Sequence, residues 1–363
     1  MNDMIESDIK LFSSALEDCP VCFIFPSKIV GGHEIMAIEL IKLLRQQKEF
    51  KERSFLAYVP SDNIKIKKTL LENEIAYESF KANLFKPEFL HALFNPVYVL
   101  RCIRLLRSTP KGSKIIVVQG DILQGVGYFV AGKLLNKTVS SYIPYAHSFK
   151  RMAAKAAWLK DSFSTIAYRL CNNYITISKV FEKEIINRNR KAKVLIVHNF
   201  VEKTSASFTV REFCVTDVVN IFIIGRVQFH QKGHNVLVEA LSGIGEYQIA
   251  LHVVGDGPDL NNLKNMQGKL PDNISMVFHG WATNSWDVAE KNKIDFLVIP
   301  SLFEGVPLVM LEALERNVPI IAAARDGMLD YLPTDSLYDV SGDSVMSLRS
   351  KIIAHIRQRT PKI

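Results

Sequence analysis

Glu304 and Glu312 stand in the run Pro300-Ser-Leu-Phe-Glu304-Gly305-Val306-Pro307-Leu308-Val-Met-Leu-Glu312, with seven residues between the two carboxylates. The run follows an apolar stretch of strand type and reads into a helix, for which Pro307 suits the first position because its missing N–H is not needed there. Carboxylates accept hydrogen bonds from hydroxyls, so one on the loop and one on the helix would face different parts of an extended polyhydroxy ligand. The unpaired amides of the helix start and the positive end of its dipole attract an anion, with Gly305, Val306, Pro307 and Leu308 lining the place. Read alone, Glu304 is equally a helix cap and Glu312 a solvated side chain.

A second segment of the same half reads Ile221-Phe-Ile-Ile-Gly225-Arg226-Val-Gln-Phe-His-Gln-Lys232-Gly233, again strand, turn and helix start. Arg226 offers a planar fork and Lys232 a mobile point charge, a combination that neutralises a diphosphate; the bland alternative is two surface cations. Val253-Val-Gly255-Asp-Gly257-Pro258 is a glycine-rich turn after a strand, where backbone can approach a ligand closely. In the first half, Pro26-Ser-Lys-Ile-Val-Gly31-Gly32-His33-Glu34 follows the first strand. Gly31 and Gly32 would offer amide N–H groups to a phosphate or serve as a plain helix-start turn.

Together these segments resemble the retaining GT-B glycosyltransferases of family 4. The likeness covers most of the chain and is carried by the glutamate pair together with the Gly-Arg…Lys-Gly turn. It implies an α/β GT-B fold, with two Rossmann-like domains facing each other across a deep cleft and the second binding a nucleotide diphosphate sugar. By resemblance, Arg226 and Lys232 hold the diphosphate, Glu304 the hydroxyls of the transferred sugar and Glu312 those of the ribose. The Gly255 and Gly257 turn lines the donor site, and the Gly31-Gly32 loop approaches the donor phosphates when the domains close. His147, in Tyr142-Ile-Pro-Tyr-Ala-His147-Ser148, matches an active-site histidine that would touch donor sugar or acceptor; a satisfied loop histidine is the alternative.

The resemblance further implies retention at the anomeric carbon, no metal ion and no cofactor beyond the donor, a UDP-sugar being favoured over a GDP-sugar. The acceptor arrives on the leaving-group face, where a phosphate oxygen takes its proton. The expected product is a cell-surface polysaccharide, such as lipopolysaccharide, capsule or exopolysaccharide, built on a saccharide or lipid-linked acceptor. Two departures from the family pattern bear on hinge geometry and donor choice: His198-Asn199-Phe200 replaces Pro-Asn-Gly, and Arg325-Asp326-Gly327-Met328 replaces a glycine-rich loop with a glutamate. A sugar-nucleotide epimerase or a glycogen-synthase-like polymerase is the competing reading within the fold.

The elements that must hold these residues follow from periodicity. Apolar runs at 21–25, 54–59, 114–119, 138–143, 174–177 and 194–198 alternate with helix-period segments, the pattern of a doubly wound parallel sheet. A polar stretch at 202–217 reads as a linker, and strand-type runs resume at 219–225, 247–255, 274–279, 295–300 and 318–323. The expected domains are 1–205 for the acceptor and 206–343 for the donor. An amphipathic helix over 344–363 would either close the second domain or cross back to the first.

Charge is uneven. Residues 1–200 carry 30 Lys and Arg against 18 Asp and Glu, which implies attraction to an anionic surface. Basic apolar stretches at 89–107, with Arg101, Arg104 and Arg107, and at 148–160, with Lys150, Arg151, Lys155, Trp158 and Lys160, point to peripheral contact with an anionic inner membrane. Their alternative is ordinary domain helices, with Pro96 interrupting the first. A nucleic-acid binder would interleave stacking aromatics with cations on one platform, and no such platform is visible. The acidic first eighteen residues, lacking an apolar leader, predict a cytoplasmic protein. Five scattered cysteines argue against a disulfide framework, and Cys19 and Cys22 read as members of one buried strand.

Overall fold

The structure is a computed structural model and describes residues 2–28, 30–47, 55–82, 88–152, 154–201, 203–204, 206–209, 212, 214 and 217–359. The chain forms two compact units, Met1–Phe200 and Val201–Ile363. Much of the expected 202–217 linker, together with 360–363, lies outside the described residues.

In the first unit the described strands are β1 (Val21–Ile24), β2 (Phe55–Pro60), β3 (Ala76–Phe80), β4 (Lys114–Val118), β5 (Val139–Tyr142), β6 (Asn173–Thr176) and β7 (Lys193–Ile196). They pair in parallel in the order β3-β2-β1-β4-β5-β6-β7. The helices between them are α1 (Asn2–Leu16), α2 (Gly32–Gln46), α3 (Ile64–Glu72), α4 (Glu88–Phe94), α5 (Pro96–Ser108), α6 (Val126–Leu134), α7 (Ala157–Leu170) and α8 (Lys179–Arg188). A parallel sheet with helices on both faces buries its central strands twice over, which is why β1 reads as an unbroken apolar run; Val21, Cys22, Phe23 and Ile24 are all buried. The Asp8 carboxylate accepts the His198 N–H at 3.0 Å and lies 2.6 Å from its Nδ1, tying α1 to the segment after β7.

The second unit repeats the plan with β8 (Val218–Ile224), β9 (Gln248–Val254), β10 (Ile274–Gly280), β11 (Phe296–Ile299), β12 (Ile320–Ala323) and β13 (Leu337–Tyr338), in the parallel order β10-β9-β8-β11-β12-β13. Its helices are α9 (Phe229–Lys232), α10 (His234–Leu241), α11 (Leu260–Met266), α12 (Ser285–Lys291), α13 (Leu308–Glu315), α14 (Met328–Tyr331) and α15 (Ser344–Arg357). The Asp343 side chain caps α15, accepting from the Val345 and Met346 amides. The helix buries Leu348, Ile352 and Ile356, one residue per turn, and packs on α10, β12 and β13 within this unit.

Strand order reverses direction between β1 and β4 in the first sheet and between β8 and β11 in the second. At such a switch point the loops leaving neighbouring strands diverge to opposite faces and open a crevice beyond the carboxyl ends. Both segments with the chemistry described above, after β8 and after β11, leave the second sheet at this position.

Three details correct the sequence reading. β3 was not anticipated, because its residues Ala76-Tyr-Glu-Ser-Phe80 sit at a sheet edge, are not buried, and make no apolar run. Cys19 precedes β1 instead of belonging to it, and Cys22 alone is buried in the strand. The basic stretch at 148–160 is helical only from Ala157, whereas that at 89–107 is α4 and α5, bent by 94° with Asn95 capping the Pro96 start. Among the described residues no single helix is long and apolar enough to cross a membrane.

The bend is fastened by Glu88, whose Oε1 accepts the Tyr98 hydroxyl at 2.7 Å and the Gly125 amide at 2.9 Å. Burial outweighs these bonds and raises its carboxyl from 4.5 to about 6. The ionised form is therefore a cost to the folded chain above pH 6, a cost that disappears as pH falls below the unfolded value. Glu88→Gln keeps the Oε1 acceptor and removes the charge. It is expected to raise stability at pH 8 by up to about 2 kcal/mol, with the gain vanishing near pH 4, as read by urea unfolding at the two pH values.

Candidate functional site

The switch point of the second sheet brings Lys232 and Glu304 together as an ion pair. Glu304 is 3% exposed and the Lys232 side chain about a quarter exposed, so the carboxylate is withdrawn from water while the lysine remains partly accessible. Ser301 Oγ donates to the same carboxylate at 3.1 Å, and Asp326 accepts the Glu304 backbone N–H at 2.8 Å. A buried carboxylate held by one cation and a hydroxyl is satisfied, and it is costly to strip of either.

The backbone that presents this pair is unusually constrained. Gly233 ends the short α9 at φ +66°, and a Cβ there would stand 2.2 Å from the Pro300 carbonyl oxygen, so only glycine lets the β8 and β11 loops touch. The Leu302 N–H donates to Gln231 O at 2.7 Å, stitching the same loops. The Lys232 chain passes over Gly225, with Cε 4.0 Å from the position a Cβ would take, which sets the ammonium beside the turn that bears the exposed Arg226. Burial, with Lys232 nearby, pushes the His234 imidazole down to about 4, leaving it neutral at ordinary pH.

Gly255 and Gly257 answer to a different neighbour than expected. Their missing Cβ atoms would meet Gly225 O at 1.9 Å and Val227 O at 2.3 Å, so the close approach they permit is to the β8 loop. Pro307 stands at the N-cap of α13, one position before the first helical residue, with its carbonyl accepting from Met310 at 3.1 Å. Gly305 accepts from the Gly327 amide at 3.0 Å, and Gly305 and Val306 are buried against the start of α13 while Leu308 opens it. Glu312, on α13, is engaged apart from Glu304: its Oε2 accepts the Trp286 indole N–H at 2.8 Å, and the Arg316 guanidinium lies over that ring at 4.9 Å.

Asp326, Ser301 and Trp286 were not singled out in the sequence. The Asp-Gly dipeptide after β12 was a usable signal, because Asp326 takes φ +53°, a conformation Asp tolerates.

In the first unit, Gly31 does not offer a free amide. Its N–H donates to Glu34 Oε2 at 2.7 Å, a carboxylate with no exposed surface whose Oε1 lies 2.7 Å from His33 Nε2. Gly32 opens α2. His147 follows β5, is 4% exposed and packs edge-on against Phe181, ring centroids 4.9 Å apart.

Residues 219–357 match the family described as Glycosyl transferases group 1. The lipopolysaccharide 1,6-galactosyltransferase of Escherichia coli K12 is 28% identical over 200 residues, covering 52% of this chain and 54% of that one. The chain spans about half the length of the curated relatives it matches. Among solved structures, the apo lipopolysaccharide outer core galactosyltransferase WaaB superposes with a TM-score of 0.73 at 20% identity, over 93% of this chain and 91% of that one. HepE of Anabaena, in complex with UDP and glucose, gives 0.64 at 16% identity over 94% and 91%. The match to glycosyl transferases group 1 thus falls within the second unit, and the two parallel sheets have the GT-B architecture of these structures.

Because Glu304 is buried, Lys232→Met is expected to lower stability by about 1–3 kcal/mol by removing the cation beside its carboxylate. Adding Glu304→Gln should recover most of that loss. Urea midpoints of the two single variants and the double variant measure the coupling.

Proposed function

We propose that the chain is a retaining hexosyltransferase that moves a sugar from a nucleotide diphosphate donor, a UDP-sugar in preference to a GDP-sugar, onto a saccharide acceptor in cell-surface polysaccharide synthesis. The observation that carries this reading is the Lys232–Glu304 pair at the switch point of the second sheet, inside the segment that matches group 1 glycosyl transferases. The relatives point the same way: one is a lipopolysaccharide galactosyltransferase, and a structural neighbour holds UDP and glucose.

In this reading the partly exposed Lys232 side chain and the Arg226 guanidinium take the diphosphate, and the first amides of α13, which have no acceptor within the helix, add dipoles of the same sense. Charge that builds on the leaving phosphate is met by these groups, without a metal ion. Glu304, oriented by Ser301 and Asp326, accepts hydroxyls of the transferred sugar. Glu312 accepts the ribose hydroxyls beside Trp286, with Gly255 and Gly257 holding the turn against the β8 loop. In the first unit, the acceptor unit, Gly32 of the α2 start is assigned to the donor phosphates and His147 to the donor sugar or the acceptor. The acceptor proton leaves on a phosphate oxygen, so no side chain is assigned as base.

Peripheral contact with an anionic membrane belongs to the same proposal. The α4–α5 bend exposes Phe94 at 77%, with Leu93, Val97 and Leu100 beside it, and Arg101, Arg104 and Arg107 follow on α5. Apolar side chains at a helix bend backed by arginines are the arrangement that seats a protein at the headgroup boundary. Nucleic acid has no place in this reading.

Transfer is tested with UDP- and GDP-hexoses and a cell-surface glycolipid extract as acceptor, reading anomeric configuration by proton NMR. The parent chain should use a UDP-sugar with retention, and Lys232→Ala or Glu304→Ala should each lower kcat/KM by about 10²-fold or more. Transfer unchanged in both variants, or inversion in the product, contradicts the proposal.

A further inference from the structure

The first unit contains a cavity of about 710 Å³, within the range of about 300–1,000 Å³ typical of small-molecule sites. It is lined by the segment after β1, by β2 and β3 and the residues that follow β3, by Glu88 of α4, by α5, and by Gln124 and Tyr128. Its lining divides by chemistry. Phe80 and Tyr128 meet edge to face, 6.3 Å apart, and with Tyr58, Tyr98 and Leu105 make a largely aromatic wall.

Cations line the cavity as well. Lys28, Lys81, Arg101 and Arg104 line the cavity against two acids, Glu78 and Glu88. Lys28 is paired with Asp62 at 2.8 Å, whereas Lys81, Arg101 and Arg104 have no acidic partner among the described residues. Arg101 and Arg104 are three residues apart on α5 and therefore on one face, where like charges repel. A doubly charged anion between them would remove that repulsion and receive two planar forks.

A buried and a half-buried polar group line the same space. The Tyr58 phenol is 2% exposed; Ser108 lies beside its hydroxyl, which makes no hydrogen bond of ordinary geometry among the described residues. Glu88 receives Tyr98 and Gly125 on Oε1 alone, so Oε2 retains acceptor capacity. A purely apolar occupant would leave both unsatisfied. A free phosphate would use the arginines and leave the aromatic wall bare. A sugar ring places apolar C–H faces on aromatics and hydroxyls on Tyr58 and Glu88.

We propose that this cavity is an acceptor subsite for a saccharide bearing a phosphate or pyrophosphate group, with Arg101 and Arg104 clasping the anion and Tyr58 and Glu88 taking sugar hydroxyls. The inference rests on the reading of the first unit as the acceptor unit and adds the chemical class of what it accepts. The phosphate is either that of a soluble sugar phosphate or the link between a saccharide and a lipid carrier.

The test is calorimetric titration of the full chain with glucose 1-phosphate and with glucose, UDP being present at saturation so that the phosphate site of the second unit is filled. Glucose 1-phosphate is expected to bind, and glucose more weakly. Arg101→Glu combined with Arg104→Glu, both exposed and away from the core, should weaken glucose 1-phosphate binding by at least about tenfold while leaving UDP affinity unchanged. UDP affinity reports the donor unit separately, so failure of the donor reading and failure of this one are seen apart.

Flotation with phosphatidylglycerol vesicles is the second arm. Glucose 1-phosphate binding that is lost in the double variant in the absence of vesicles supports the subsite. The proposal is overturned if glucose 1-phosphate does not bind beside UDP, or binds equally to the double variant. It is also overturned if the substitutions abolish vesicle flotation alone, since the arginines then serve a lipid surface.

Discussion

A carboxylate taken out of water must be met by a cation, and the second unit is arranged around that requirement at Glu304. Lys232 meets it from the neighbouring loop, and Ser301 and the Asp326 bond to the Glu304 backbone fix the direction from which it is met. The pair spans the two strands between which the sheet reverses its order, where the fold already opens a crevice. Under the proposed function, stability and ligand chemistry act on the same atoms: the ammonium that compensates the buried charge is also the cation assigned to the donor diphosphate.

Such a pair forms only if two loops approach almost to backbone contact. Gly233 against Pro300, Gly255 against Gly225 and Gly257 against Val227 are places where a single methyl group would intrude on a carbonyl oxygen. The glycines of the second unit are thus required first by loop against loop. In the proposed function their service to the donor is indirect, through the position they give Lys232 and Arg226. In the first unit the comparable loop is fixed by a carboxylate instead, Glu34 holding the Gly31 amide that would otherwise be open to a phosphate.

Central strands of a parallel sheet, buried on both faces, write themselves into a sequence as continuous apolar runs, and β1, β2, β4, β5, β6, β8, β9, β11 and β12 were legible for that reason; the edge strands β7 and β10 were legible only because they happen to carry apolar runs of their own. β3 has no such run because an edge strand with exposed faces carries no burial signal. Within the site, Lys232 and Glu304 were readable because charged residues beside glycines after a strand are unusual. For Asp326 the Asp-Gly dipeptide marked a turn but not its partner, and Trp286 had no signal, because their work is done through a backbone amide and a side chain 22 and 26 residues away. The cavity beneath α5 gave no local signal either. Its lining gathers residues from β2, β3, α4, α5 and α6 that only the fold brings together.

The central claim is that the Lys232–Glu304 locus, with Arg226 beside it, holds the donor diphosphate. A crystal structure of the chain with UDP measures this most directly. The account predicts the β-phosphate within hydrogen-bonding distance of the Lys232 ammonium and the Arg226 guanidinium, over the first amides of α13, with the ribose hydroxyls on Glu312. A diphosphate seated elsewhere, with the Lys232–Glu304 pair untouched by ligand, would contradict it.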